Sequence, residues 1–221
     1  MWLTTGDMLR TIAVTGGIGS GKSLVCRFLE ERGFPVYDSD GRTKSLYVRD
    51  MELTGRIREK MAHFVPEAEG MADGFLLADG KLDLKRLSSI VFRNAEARLL
   101  LESIVHPAVL QDFMAWKDSP ETAGRASHGA VVIESAIILE KPLFRDVIDT
   151  AVLVTAPAEV RLGRSAARDG VPPESIRKRM EAQGELSSEA NGKIGFIIVN
   201  DGTPDDLRRK VDQFIDSNYR K

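Results

Sequence analysis

Residues 11–33 read TIAVTGGIGSGKSLVCRFLEERG. The β-branched run Thr11–Thr15 predicts a short strand buried on both faces. After Lys22 the apolar residues Val25, Phe28 and Leu29 recur at helical spacing until Gly33 stops them. Between strand and helix lies GGIGSGKS, Gly16 to Ser23, which satisfies the pattern G-x-x-x-x-G-K-[ST]. Its glycines allow backbone conformations closed to other residues, so successive N–H groups point inward at phosphate oxygens. The helix that starts there adds the positive end of its dipole. Lys22 is placed to bridge β- and γ-phosphates as a point charge, and the Ser23 hydroxyl to complete the coordination of a magnesium ion. Gly17, Ile18, Gly19, Ser20, Gly21, Lys22 and Ser23 are therefore expected to hold a nucleoside triphosphate, although the motif names no reaction.

Outward from this stretch the same alternation continues. Strand character returns at 35–38, 130–135, 150–155 and 196–199, each with helix signals behind it, which predicts a parallel sheet with helices on both faces. Pro157 is expected in the first turn of one helix; Thr203 is the N-cap and Pro204 the first residue of another, whose apolar face carries Leu207, Val211, Phe214 and Ile215. From Gly41 to about Trp116 the pattern is helical and rich in Leu, Arg and Glu. It is broken at 65–83 by a glycine-rich, acidic stretch read as an irregular loop or small hairpin. Asn94 caps the helix that follows, and Pro107 is expected to end it. Residues 119–129 read as an exposed connector. The expected architecture is an α/β three-layer sandwich of the P-loop NTPase class. Its core comprises 9–40 and 130–221, with a helical lid at about 160–192, an inserted helical acceptor domain at 41–118, and residues 1–8 as an extension without functional weight.

The 221 residues carry 31 basic and 33 acidic side chains, a net charge of −2, which provides no general field for nucleic acid or an anionic membrane. The single cysteine, Cys26, excludes an internal disulfide, suits a reducing compartment, and falls in the helical pattern as a small buried thiol. No leader pattern opens the chain and no 18 apolar residues run together, so a cytoplasmic protein is expected. No obligate protein partner is evident.

The reaction is narrowed by what accompanies the loop. A guanine-reading N-K-x-D segment is missing; DSDG, Asp38 to Gly41, follows the loop too soon to be a switch; and no S-G-G-Q signature occurs. These absences favour a small-molecule kinase, with an acceptor domain after the second strand and an arginine-bearing lid after a later one. Asp40, at a strand end, could take an acceptor hydroxyl's proton or help position the metal; Asp38 is the alternative, or a helix cap. Arg164 and Arg168 lie four apart on one helical face, suited either to a transferring phosphoryl group or to a solvated basic surface.

Taken in order, TGGIGSGKS, VYDSD, IVHP, VVIESAIILE, RSAARDG, RMEAQ and VNDG resemble the dephospho-CoA kinase family, from about Leu9 to Asp216. The resemblance implies transfer of the ATP γ-phosphoryl group to the 3′-hydroxyl of the dephospho-CoA ribose, with Mg²⁺, in the last step of coenzyme A synthesis. It implies catalytic roles for Asp40, Lys22 and Arg164. ATP contacts extend to Arg168, Asn200 and the backbone of Leu24, and metal contacts fall to Ser23 and Asp40. Asp40, His106 and Glu134 are expected on the acceptor side. Glu134 is alternatively a second metal carboxylate or a structural residue, and His106 a helix-end histidine bonded locally. Arg42, Arg86, Arg93 and Arg145 are candidates for the acceptor pyrophosphate. Three departures stand out: Leu24 where threonine is common, Arg161 where glutamine is frequent, and Ile194-Gly195 where Ala-Asp commonly precedes the last strand. The rival readings are a nucleoside monophosphate kinase-like enzyme and a non-catalytic ATP-binding regulator.

Overall fold

The computed structural model describes residues 8–65, 75, 77, 80–184 and 192–219. All of the expected extension but Met8, much of the 65–83 break and the last part of the expected lid lie outside the described residues. The chain divides into two compact units, Met1–Asp38 with Trp116–Lys221, and Ser39–Ala115. The inserted unit was expected at 41–118; the division falls two residues earlier at its start, so Asp40 belongs to the inserted unit.

The first unit is built on five parallel strands: β1 (Arg10–Thr15), β2 (Val36–Asp38), β3 (Ala130–Glu134), β4 (Thr150–Thr155) and β5 (Ile194–Val199), in the spatial order β2-β3-β1-β4-β5. β1 is central and buried from Thr11 to Thr15, as a strand covered on both faces must be. Ile12 and Val14 of β1, Val132, Val152, Val154 and Ile198 form one core with α1 (Lys22–Glu31) and the C-terminal helix α10 (Pro204–Tyr219). Cys26 is buried in that core. Thr203 caps α10: its Oγ1 accepts from Asp206 N at 3.2 Å, while Asp206 Oδ2 accepts from Thr203 N at 2.9 Å, a reciprocal pair that satisfies two helix-end donors. Gly195 lies in β5 rather than before it. The β4–β5 register shifts between Ala151 and Val152, and Gly195 falls at the irregularity, where a Cβ would sit 2.3 Å from Thr150 Oγ1.

The connector 119–129 is not wholly irregular. Pro120–Arg125 form a short helix, α6, because Ser119 Oγ accepts from Thr122 N at 3.2 Å and Pro120 supplies the preset first turn. Pro142–Arg145 form the short helix α7, and Pro157 is the N-cap of the helix after β4, one position before its first turn.

The second unit contains α2 (Ser39–Arg49), α3 (Met51–Met61), α4 (Leu84–Arg93) and most of α5 (Ala95–Lys117). Asp50, Asp83 and Asn94 cap α3, α4 and α5 through side-chain oxygens on N–H groups at 2.9–3.0 Å. Pro107 does not end α5, which runs ten residues further. A proline inside a helix costs about 3 kcal/mol. Val105, Val109 and Phe113 recur every four residues and are all buried, so the continuing apolar stripe offsets that cost. Arg42 and Arg49 both pair with Asp112, Arg42 Nε at 3.1 Å.

Candidate active site

Strand order reverses direction on either side of β1, because its chain continues to β2 and β3 on one side while β4 leads to β5 on the other. Ligands of open α/β sheets bind at the carboxyl ends of the strands beside such a switch point. The glycine loop leaves β1 there. Gly21 is the N-cap of α1 in the left-handed region, φ 98°, and a Cβ on it would lie 2.2 Å from Asn200 Nδ2. The space a side chain would need is filled by that amide, which donates to Ser20 O at 2.8 Å. Asn200 is buried just past β5, with its own N–H on Thr155 O at 2.7 Å. It thus ties the loop to the ends of both neighbouring strands.

Lys22 Nζ donates to Gly16 O at 3.0 Å and to Gly17 O at 3.3 Å. A primary ammonium on a flexible stem can exchange such carbonyls for phosphate oxygens. Ser23 Oγ donates to Glu134 Oε1 at 2.8 Å. Glu134 ends β3 and stands in register with Asp38 at the end of β2, so two carboxylates occupy adjacent strand ends. Burial holds the Glu134 carboxyl above the usual carboxylate range and Asp38 adds to this, against the Ser23 hydrogen bond and the Lys22 charge. Burial likewise pushes the Cys26 thiol well up, with Glu134 second, so Cys26 is an inert core thiol.

Among the described residues no group of three or more His, Cys, Asp or Glu is disposed for a metal. A small hard cation that takes most ligands from water and phosphate needs only one or two protein oxygens. The Ser23 hydroxyl and Glu134 carboxylate, 2.8 Å apart beside Lys22, fit a divalent ion of that kind.

The segment expected as a lid contains α8 (Ala158–Asp169) and α9 (Pro173–Gln183). Arg164 Nη1 donates to Asn200 O at 3.1 Å, which brings this arginine to the turn that braces the loop. Arg168 is not brought there: it pairs with Asp169 at 2.8 Å, and the same carboxylate accepts from Arg179 of α9 at 3.1 Å. Ser165 packs on Gly19, and its buried hydroxyl, like that of Ser20, has no partner among the described residues. Leu24 N donates to Gly21 O at 3.1 Å. Asp40 sits in the first turn of α2 and His106 in the interior of α5, both in the second unit. Arg161 and Gln183 were given no role by sequence reasoning, yet both bond to the loop backbone at Ile18. The only signals were the arginine at an unusual position and the terminal glutamine of RMEAQ.

A parallel sheet switching at β1, a glycine loop with its lysine and serine, and α8 bringing Arg161 and Arg164 to the loop and its brace define a P-loop phosphotransferase. The dephospho-CoA kinase family model matches residues 10–206. The chain is 36% identical over 207 residues to the dephospho-CoA kinase of Chlorobaculum tepidum, covering 93% of each. Among solved structures, TT1252 from Thermus thermophilus superposes with a TM-score of 0.70 at 28% identity, covering 96% of this chain and 99% of that one. The dephospho-CoA kinase from Campylobacter jejuni gives 0.56 at 25% identity, covering 96% and 98%. The chain belongs to the dephospho-CoA kinase family and is an enzyme of the kinase class. No helix among the described residues is long and apolar enough to cross a membrane.

Proposed function

We propose that this chain transfers the γ-phosphoryl group of ATP to the ribose 3′-hydroxyl of dephospho-CoA, releasing coenzyme A and ADP in the cytoplasm. The observation that carries the reading is the loop Gly16–Ser23 at the end of the central strand, with Lys22 and the Ser23–Glu134 pair beside it, in a chain matched to the family over 10–206. Loop N–H groups other than those of Ile18, Ser20 and Leu24, which donate instead to Gln183 Oε1, Gly17 O and Gly21 O, bind the phosphates together with the α1 N-terminus. Lys22 exchanges its loop carbonyls for β- and γ-phosphate oxygens. Ser23, with Glu134, holds Mg²⁺, and Asp40 is a further candidate for it; the ion neutralises phosphate charge when bound.

Asp40 takes the proton of the attacking hydroxyl. It follows the last residue of β2 by two positions, so covalent geometry keeps its Cα within about 7 Å of Asp38's. Arg164 stabilises charge on the transferring group, Arg168 approaches the nucleotide once released from Asp169, and His106 and Glu134 serve the acceptor side. No covalent enzyme intermediate is needed; positioning and exclusion of water supply the rate. ADP release should be measured with dephospho-CoA, AMP, CMP and shikimate as acceptors. Strong stimulation by dephospho-CoA alone is expected. Stimulation by AMP or CMP instead would overturn the assignment in favour of a nucleotide kinase, and ATP binding without acceptor-stimulated release would indicate a regulator.

A further inference from the structure

The geometry points to a backbone clamp on the phosphate loop: Arg161 from α8 and Gln183 from α9 grip the two peptide groups of Ile18 and order the loop before nucleotide arrives. The inference rests on the reading of Gly16–Ser23 as the ATP cradle. Ile18 N donates to Gln183 Oε1 at 2.9 Å, and Ile18 O accepts from Arg161 Nε at 3.1 Å. One loop residue thus has both backbone groups taken by side chains 165 and 143 positions away, from different helices.

The Gln183 amide works on both sides. While its oxygen accepts from Ile18, its Nε2 donates to Gly16 O and to Ala136 O, each at 3.4 Å. An amide has separate donor and acceptor ends, and here each end meets its complement. Gln183 therefore joins the start of the loop to the segment just past Glu134. Arg161 lies against Gly17: its Nη1, Cζ and Nη2 stand 2.7–3.0 Å from where a Gly17 Cβ would be. Its guanidinium is a second cation beside the stretch already held by Lys22 Nζ at Gly16 O and Gly17 O. Every carbonyl from Gly16 to Ile18 is consequently engaged by Lys22, Arg161 or Gln183.

Glycine-rich backbone loses more conformational freedom on ordering than any other. A loop ordered before nucleotide arrives does not charge that loss against binding. The clamp also makes α8 and α9 part of the cradle, since Ser165, one turn beyond Arg161, packs on Gly19, and Asp169 ties α8 to Arg179 of α9. Arg161 and Gln183 are positioning residues, acting on ATP through the loop.

The test uses the full chain and compares wild type with Gln183→Ala, Arg161→Ala, the double variant, Arg161→Gln and Gln183→Glu. ATP affinity is read by calorimetry, turnover at saturating substrates, and Ile18 amide exchange by NMR in nucleotide-free enzyme. Each alanine variant should weaken ATP binding about five- to tenfold, the range of a lost hydrogen bond, with kcat within about threefold. The double variant should lose less than the product of the single losses, because one open jaw frees the peptide. Ile18 exchange should quicken in Gln183→Ala. Arg161→Gln, which can still donate to Ile18 O, should recover part of the Arg161→Ala loss. Gln183→Glu keeps the acceptor but sets a carboxylate against Gly16 O and Ala136 O beside the phosphate site, so it should bind ATP at least as weakly as Gln183→Ala; Gln183→Met replaces Gln183→Ala as the probe if that variant fails to fold. Unchanged ATP affinity, multiplicative losses, or unchanged Ile18 exchange would overturn the clamp. Failure of wild type to bind ATP would overturn the cradle reading instead.

Discussion

Gly19→Ala tests the fit of α8 on the loop. Gly19 has φ +77°, and a Cβ there would stand 2.3 Å from Arg161 O and 2.6 Å from Ser165 Oγ. The left-handed conformation costs a Cβ-bearing residue about 1–2 kcal/mol. The serine can rotate, but Arg161 O is helix backbone, so α8 must retreat from the loop by about 1.1 Å to reach ordinary contact at 3.4 Å. Such a retreat carries the 3.1 Å bond from Arg161 Nε to Ile18 O beyond hydrogen-bonding reach. A misplacement of about 1 Å in catalytic machinery can cost about a hundredfold in rate. The expected result is a melting temperature lower by about 2–8 °C, from about 2–4 °C per kcal/mol in a chain of this size, with kcat/KM for ATP down about a hundredfold. The control is Gly163→Ala on the same helix, where a Cβ meets nothing within 4 Å. It should leave activity unchanged and stabilise by about 0.5–1 kcal/mol, the helix preference of alanine over glycine. Thermal melting and coupled ADP-release kinetics measure both variants. A Gly19→Ala enzyme with kcat/KM within threefold of wild type would refute the argument that α8 seats directly on the loop.

Glu134→Gln keeps the shape that accepts from Ser23 but removes a charge held at a cost by burial. The folded-state pKa lies above its unfolded value, so the penalty is absent below the unfolded value and grows as pH rises through the folded one. With EDTA present the variant should melt higher than wild type at neutral pH, the gap closing on acidification, and turnover with Mg²⁺ should fall about 10–100-fold. A variant less stable at pH 7 would contradict this. Asp40→Asn should reduce kcat by about a hundredfold or more with ATP affinity unchanged, as loss of a general base does; an unaltered kcat in a steady-state assay would move the role to Asp38. Arg164→Lys should lower kcat about tenfold, because lysine lacks the planar fork that reaches Asn200 O; full activity would reduce Arg164 to a surface charge.

The local parts of this protein were legible along the chain. Thr11–Thr15, the glycine loop, the Asn94 cap and the Thr203–Pro204 start each depend on neighbours within a few residues, where φ freedom, missing donors and side-chain capping act. Local rules also misled. Pro107 is a helix stop by its own chemistry, yet buried Val105, Val109 and Phe113 carry α5 through it. The polar composition of 119–129 reads as a connector, yet the Ser119 cap and Pro120 start a helix inside it.

Spacing and resemblance offer Asp40 and Arg164 as candidates, but nothing in a linear pattern pairs Ser23 with Glu134 across 111 positions, or Ile18 with Gln183 across 165. Backbone conformation is chosen by contiguous residues, and so the donor-phosphate loop can be read from eight letters. Which side chains close on that loop depends on the strand order β2-β3-β1-β4-β5 and on where α8 and α9 come to rest. Those are outcomes of packing over the whole unit, and they place Glu134, Asn200, Arg161 and Gln183 within hydrogen-bonding distance of the loop.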